Sequence, residues 1–181
     1  MTDTLLLDDF QRDGGLSNLG TRWEGLTDRV MGGRSEMQFG HHESDAGSVL
    51  LMRGQVRLEN RGGFIQARLP LDRAGGSFDA SAWDGLYIKV RGTPGPYYVH
   101  LRTRQTWQPW QHYRAPIDVG NEWLEQFVPF TAFEGRATSR QLDVSALKSV
   151  GLVAYGEAFE AEIELARLEL GKRPGPAVVP R

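Results

Sequence analysis

Cysteine is absent from this sequence, and its absence excludes disulfide bonds, cysteine-ligated zinc sites and thiol nucleophiles. Long apolar runs are also missing, because no stretch approaches the roughly 18 apolar residues that a membrane-spanning helix needs. The first ten residues, MTDTLLLDDF, hold three aspartates and no basic residue, unlike a signal peptide or a mitochondrial presequence. We therefore expect a cytoplasmic protein that is not embedded in a membrane.

The composition is typical of a soluble, turn-rich β protein. The 181 residues are 40% hydrophobic and 24% charged, and they include 22 glycines, more than a helical bundle tolerates. The formal net charge of −2 provides no overall positive field for binding nucleic acid. The last segment, GKRPGPAVVPR, carries three prolines and two glycines. We expect one domain over residues 1–170 and a disordered tail over 171–181.

Short apolar or alternating segments, separated by glycine, proline, aspartate and asparagine, predict a series of β-strands. The predicted strands are 47–53, 55–59, 63–69, 86–91, 97–104, 111–117, 123–128, 149–154 and 162–170. One short helical turn is expected within 139–147, where Ser139 and Asp143 are suitable caps. Short strands without a long helical pattern indicate an all-β protein, an antiparallel β-sandwich.

Period-two alternation separates the inward from the outward side chains of three predicted strands. If these strands are neighbours, as consecutive strands often are, their outward side chains form one cationic face. The face comprises Tyr87, Lys89, Arg91, Tyr98, His100, Arg102, His112 and Arg114. The loop TRQTWQPWQ adds Trp107 and Trp110 beside it.

Arginine forks bind carboxylate and phosphate groups, and aromatic planes stack on sugar rings. We therefore predict that the cationic face and its two tryptophans bind a carbohydrate or an acidic segment of a partner protein. The alternative is an ordinary solvated sheet exterior, with the tryptophans packed back over the core.

Three glycine-containing segments lie next to predicted strands. In the first, WEGLTDRVMGGRSEMQF, the residues of interest are Trp23, Asp28, Met31, Gly32, Gly33 and Ser35. The glycine pair favours a sharp turn, and Asp28 is placed either to accept hydrogen bonds from turn amides or to ligate a cation. The segment is not a phosphate loop, because GxxxxGK[ST] is absent.

In the second segment, NRGG predicts a hairpin turn formed by Asn60, Gly62 and Gly63. The third, SFDASAWDGLYIKVRG, places Asp84 and Gly85 directly before the strand 86–91. Its loop 79–84 is also a candidate calcium site, since carboxylates in such loops ligate this ion.

Together with two segments further along the chain, these three segments resemble the complex I intermediate-associated protein 30 family. The resemblance rests on five motifs in register: DRVMGGRS, NRGGF, DASAWDGLYIKVRG, WLEQFVPFTAFEGR and LKSVGLVAYG. It implies a galactose-binding-like jelly-roll β-sandwich, similar to carbohydrate-binding modules. In mitochondria the family is known for a chaperone that helps to assemble NADH:ubiquinone oxidoreductase. The family has no established catalytic residues, so the motif positions are expected to be structural.

An enzymatic function is not expected. A glycoside hydrolase needs two carboxylates about 5–9.5 Å apart, and nothing in the sequence brings Asp28 and Asp84 together. No GxSxG nucleophile elbow is present for a serine hydrolase. His41 and His42 lie in HHESD, which resembles a polar loop, and a third zinc ligand at suitable spacing is missing. We predict no catalytic residue, no metal and no cofactor.

The sequence therefore predicts a non-catalytic protein-interaction domain, for which the resemblance implies an assembly intermediate of a respiratory complex as partner. The alternative is a carbohydrate-binding module that holds a sugar or an anionic ligand on the cationic face. Both hypotheses use the same surface, so the identity of the ligand separates them.

Overall fold

The computed structural model describes residues 3–59 and 63–175, and its regular structure is twelve β-strands with short 3-10 turns. The strands are β1 (Thr4–Asp8), β2 (Glu24–Thr27), β3 (Glu36–Ser44), β4 (Gly47–Val56), β5 (Phe64–Pro70), β6 (Gly85–Gly92), β7 (Tyr97–Thr103), β8 (His112–Ile117), β9 (Leu124–Pro129), β10 (Glu134–Arg136), β11 (Leu147–Tyr155) and β12 (Phe159–Gly171). Within these described residues, no helix has the length and apolar character that crossing a bilayer requires.

The strands form two six-stranded antiparallel sheets. In the first sheet the order is β3-β4-β12-β6-β9, with β1 pairing alongside β12. In the second sheet the order is β10-β8-β7-β11-β5-β2. The core lies between the sheets and contains fully buried side chains from both, such as Ile163 of the first and Leu101 of the second. The prediction of an all-β antiparallel sandwich is confirmed.

The predicted alternation of inward and outward side chains is also confirmed. In β6 the side chains of Leu86, Ile88 and Val90 are buried, and the residues between them are half-buried on the outer surface. In β7 the side chains of Val99 and Leu101 are likewise buried in the core. Which residues of a strand face outward therefore follows from the sequence.

The structure adds four strands that the sequence pattern did not predict: β1, β2, β3 and β10. The prediction of HHESD as a loop is wrong for its first four residues, which belong to β3 and pair with β4. Its last residue, Asp45, lies in the turn between Ser44 and Gly47. Most side chains of this edge strand are exposed on both faces, so apolar alternation is absent. Residues 55–56 continue β4, so the separately predicted strand 55–59 is also wrong.

The strands β6 and β7 lie in different sheets, which contradicts the prediction that their outward side chains share one face. The strand β6 pairs with β12 and β9, whereas β7 pairs with β8 and β11. The intervening segment TPGP carries the chain from one sheet to the other. In a sandwich the outward faces of the two sheets point in opposite directions, so the predicted cationic face is divided.

Residues just after position 170 contact the sandwich. Gly171 belongs to β12, the amide of Lys172 donates to the carbonyl of Asp3 (3.1 Å), and the amide of Arg173 donates to Asp84 Oδ2 (2.7 Å). The described contacts therefore continue as far as Arg173. A disordered tail over the last residues stays a prediction, since 176–181 lie outside the described residues.

The expected helical turn within 139–147 is present as a 3-10 turn at Val144–Ala146. The carboxylate of Asp143 caps it by accepting a hydrogen bond from the amide of Ser145 at 3.0 Å. One of the two suggested caps is therefore used, and the turn leads directly into β11.

Candidate functional site

The outer face of the second sheet gathers five of the side chains that the sequence places on a cationic face. They come from the adjacent strands β7 and β8, where His100 lies opposite Arg114. We call this group the His–Arg face, and its members are Tyr98, His100, Arg102, His112 and Arg114. Its side chains project outward because their neighbours in each strand fill the core.

The two histidines of the His–Arg face stack on each other. Their ring centroids are 4.0 Å apart, and the ring planes differ by 12°. Burial, followed by the nearby charges of His112 and Arg114, holds the pKa of His100 well below its ordinary value of 6.5. Burial also lowers the pKa of His112, and three nearby arginines act in the same direction. Both shifts favour the neutral form of the rings.

Arg114 lies over two tyrosine rings. Its guanidinium carbon is 4.8 Å from the ring centroid of Tyr98 and 5.5 Å from that of Tyr155. Tyr155 is the last residue of β11, one position beyond the predicted strand 149–154, and is absent from the predicted face. The signal was available, because Tyr155 continues the outward alternation of Gly151 and Val153 along β11.

Three buried polar atoms of the His–Arg face have no hydrogen-bond partner among the described residues. They are His100 Nε2, Arg102 Nε and His112 Nε2. His100 is only 7% exposed. Buried polar groups are normally hydrogen-bonded, so these three atoms stand out on an outer sheet face.

The loop between β7 and β8 carries the two most exposed large apolar side chains of the described chain. Trp107 is 76% exposed and Trp110 is 56% exposed, so neither packs back over the core. The loop is attached to the sheet, since Arg102 Nη2 donates to the carbonyls of Thr106 (2.6 Å) and Gln108 (2.9 Å). The tryptophans are therefore presented to solvent from a fixed loop beside the His–Arg face.

A cleft of about 510 Å³ opens beside this loop. We call it the arginine cleft; its charged and aromatic lining residues are Glu24, Arg68, Arg102, Arg104, Trp107 and Lys148. Arg68 and Lys148 come from β5 and β11, which no local sequence pattern links to the site. The strand order of the second sheet places β11 beside β7 and β5 beside β11.

The remaining three predicted face residues, Tyr87, Lys89 and Arg91, lie on the outer surface of the first sheet. There the prediction of a purely cationic surface is wrong for Arg91, which forms ion pairs with Glu164 (3.2 Å) and Asp45 (2.9 Å). The carboxylates were not foreseen because they come from β12 and the β3–β4 turn, which are distant in sequence. The charge of Arg91 is therefore compensated within the chain.

Asp28 joins two of the family motifs. It is fully buried, and its carboxylate accepts hydrogen bonds from the amide of Ser35 (2.9 Å), the hydroxyl of Ser35, and the amides of Gly63 (2.6 Å) and Phe64 (3.3 Å). Burial alone would raise the pKa of Asp28, but these hydrogen bonds outweigh it and hold the pKa below its ordinary value. Of the two predicted roles, the geometry shows the acceptor of turn amides.

The glycines of this motif make room for that carboxylate. A Cβ on Gly33 would overlap the Asp28 carboxylate, and Gly32 has a φ of 87°, in the left-handed region where glycine is favoured. Met31 closes the 3-10 turn Asp28–Met31. The predicted hairpin residues Asn60 and Gly62 lie outside the described residues.

The other motif residues also make structural contacts. The indole of Trp23 donates to Asp8 Oδ2 at 2.9 Å, which ties the chain before β2 to the end of β1. The amide of Asp84 donates a hydrogen bond to the carbonyl of Gly171. A Cβ on Gly85 would overlap the carbonyl of Val128 in β9. These positions fit a structural role and lie apart from the His–Arg face.

The candidate metal positions make other contacts. The carboxylate of Asp79 accepts from the amide of Ser81 (2.9 Å) and caps its own turn, whereas Asp84 contacts Arg173. The ring of His41 packs edge-on against Phe10 at 5.7 Å, and His42 is exposed on the opposite face of β3. Across residues 3–59 and 63–175, no three His, Asp or Glu side chains are grouped so that they could hold a metal ion.

The fold is a β-sandwich of the class found in carbohydrate-binding modules. The family 11 module of the cellulosomal cellulase Lic26A-Cel5E of Clostridium thermocellum is similar, with a TM-score of 0.74 at 14% identity over 96% of this chain and 98% of that chain. A family 11 module of the same organism in complex with a β-1,3-1,4-mixed-linked tetrasaccharide gives a TM-score of 0.72 at 14% identity over 95% of this chain and 97% of that chain.

A family 30 module of the cellulase Cel9D-Cel44B of Clostridium thermocellum gives a TM-score of 0.62 at 12% identity, covering 84% of this chain and 92% of that chain. At these identities the likeness establishes the fold, and it confirms the jelly-roll architecture. No curated protein matches the chain.

The family itself is identified by a family model, complex I intermediate-associated protein 30 (CIA30), which matches residues 9–176. The chain belongs to the CIA30 family. The resemblance drawn from the five sequence motifs is thereby confirmed.

Proposed function

We propose that this chain is a non-catalytic protein-interaction domain that docks its partner on the outer face of the second sheet. The observation that carries the proposal is the pair of exposed tryptophans, Trp107 and Trp110, held beside the His–Arg face. Tryptophan and arginine dominate the energetics of protein interfaces, and large exposed apolar side chains grouped together mark interaction sites. Membership of the CIA30 family suggests an assembly intermediate of complex I as the partner.

Co-purification tests this proposal. The whole chain, expressed with an affinity tag, is expected to recover subunits of NADH:ubiquinone oxidoreductase from solubilised membranes. The double variant Trp107→Ala/Trp110→Ala should reduce that recovery by at least tenfold, since each central interface tryptophan typically contributes 2 kcal/mol or more, about a 30-fold effect. The measurement is quantitative mass spectrometry of the captured subunits.

The matched control is Leu124→Ala, which removes an exposed apolar side chain (39% exposed) from β9 in the other sheet. It should recover the subunits as the unaltered chain does. Failure to recover any subunit of the complex, or equal recovery by the tryptophan variant, would contradict the proposal. Circular dichroism of both variants verifies that they remain folded.

Carbohydrate binding is the second candidate, favoured by the combination of exposed tryptophans with a fold shared by carbohydrate-binding modules. A thermal-shift screen with a β-1,3-1,4-linked tetrasaccharide and other sugars tests it. A ligand at 100 times its dissociation constant stabilises the folded state by about 2.7 kcal/mol, which raises Tm by several degrees. A flat response to all sugars would remove this candidate and leave protein docking.

A further inference from the structure

We propose that the arginine cleft binds a carboxylate-bearing, acidic segment of the partner protein. This inference rests on the proposed docking function and specifies the chemistry of the partner. It concerns a cleft formed by β5, β7, β11 and the loop after β7, most of which the sequence motifs do not include.

The first observation is uncompensated charge. Four basic side chains line the cleft, and its one carboxylate, Glu24, lies 3.2 Å from Arg68. Among the described residues, Arg102, Arg104 and Lys148 form no ion pair. Because the whole chain carries a net charge of −2, this excess of positive charge is local to the cleft. Such a concentration of one charge attracts groups of the opposite sign.

The second observation is that Arg102 is already fixed in position. Its Nη2 atom donates hydrogen bonds to the carbonyls of Thr106 and Gln108. Its buried Nε has no hydrogen-bond partner in the described chain. Burial and the nearby charge of Arg68 lower the pKa of Arg102, which shows that it sits in a positive, partly desolvated environment. The guanidinium is thus held in the wall of the cleft, and among the described residues its positive charge has no carboxylate partner, so it attracts a carboxylate from outside.

The third observation is the shape and border of the cleft. Its volume of about 510 Å³ lies within the usual range of ligand clefts, roughly 300–1,000 Å³. Trp107 stands at the border and is 76% exposed, so it offers an apolar surface beside the basic residues. A segment that alternates acidic and apolar side chains matches both parts of this surface.

Direct binding of a synthetic peptide to the whole chain tests the inference. The probe is a fluorescein-labelled peptide with six glutamates flanked by leucines, and its matched control carries glutamine in place of glutamate. We expect the glutamate peptide to bind at low salt with at least tenfold higher affinity than the glutamine peptide. The affinity should fall as salt rises, because the charges involved are accessible to solvent.

Variants then locate the binding in the cleft. The double variant Arg104→Gln/Lys148→Gln should weaken binding of the glutamate peptide at least tenfold. The control variant Arg53→Gln/Arg167→Gln removes the same amount of charge from the first sheet, and its affinity for the peptide should stay within twofold of that of the unaltered chain. Arg102→Lys keeps the charge but removes the planar fork, and it should weaken binding at least threefold. Equal binding by all variants, or no preference for glutamate, would overturn the inference.

The outcomes of this test and of the co-purification are distinguishable. If the glutamate peptide fails to bind while capture of complex I subunits still depends on the tryptophans, the acidic-segment inference is wrong and the docking function stands. If polygalacturonate, a carboxylate-bearing polysaccharide, binds and the glutamate peptide does not, the carboxylate comes from a sugar and the protein source is wrong. If inorganic phosphate displaces the glutamate peptide better than acetate does, that result would likewise contradict a carboxylate site.

Discussion

Replacing Asp28 with alanine is expected to destabilise the protein by about 3–5 kcal/mol, because three backbone amides and one hydroxyl lose their acceptor in a buried position. Each buried amide left without a partner costs about 1–3 kcal/mol, so the loss is large relative to the total stability of a domain. Equilibrium urea unfolding followed by tryptophan fluorescence measures the change.

Asp28→Asn separates the carboxylate from the size of the side chain. An asparagine keeps one acceptor oxygen but directs an NH2 group at donors such as Ser35 and Gly63, so we expect a clear loss that is smaller than for alanine. The matched control is Asp79→Ala, which removes an exposed carboxylate that caps its own turn and should have a much smaller effect. Equal stability of Asp28→Ala and the unaltered chain would contradict the structural role of Asp28.

The pH dependence of the Asp28 contribution has a defined sign. The pKa of Asp28 is lowered in the folded protein, so the unfolded chain binds a proton more readily than the native one. The stabilisation by Asp28 is therefore present above the unfolded pKa, about 3.9, and is lost as pH falls through the folded value. This loss of stabilisation is measured as the difference in urea midpoint between the unaltered chain and Asp28→Asn across the acidic pH range.

The strand pattern of this protein was largely predictable from sequence, whereas the composition of its surface was not. Alternation in β6 and β7 correctly separates inward from outward side chains, because that separation depends only on the period of two. Whether Lys89 and His100 share a surface depends on strand order, which is a property of the whole fold. The sequence rule that consecutive strands are neighbours fails where TPGP crosses between the sheets.

Residues that complete the site come from distant parts of the chain. Arg68, Lys148 and Tyr155 reach the outer face of the second sheet because β11 and β5 follow β7 in the strand order. No local pattern encodes that order. By contrast, Asp28 was recognisable as a turn acceptor, since its preference for turn amides is local chemistry, although its link to Gly63 required the fold.

Acidification from pH 7 to pH 5 is expected to destabilise the protein through the stacked pair His100–His112. Both pKa values are lowered in the folded state, so the unfolded chain takes up protons first as pH falls. The stability that depends on neutral rings is complete above the unfolded value of about 6.5 and is lost progressively below it. Protonation would place two positive rings 4.0 Å apart, beside Arg114 and Arg102.

The expected size follows from proton linkage. Each histidine that is neutral in the folded state and charged in the unfolded state contributes a slope of about 1.4 kcal/mol per pH unit below the unfolded pKa. The two histidines together therefore contribute a slope of up to about 2.8 kcal/mol per pH unit. Urea unfolding at half-unit intervals between pH 5 and 7.5 measures this slope.

A comparison of variants assigns the slope to the stacked pair. His100→Gln/His112→Gln should flatten it, whereas His42→Gln, at an exposed position on β3, should leave it unchanged. Asp8 contributes with the opposite sign, because burial raises its pKa, so it favours the folded state as pH falls. That contribution is common to all variants and cancels in the difference. An equal slope for the double variant and the unaltered chain would show that the histidines do not titrate as the stacked geometry requires.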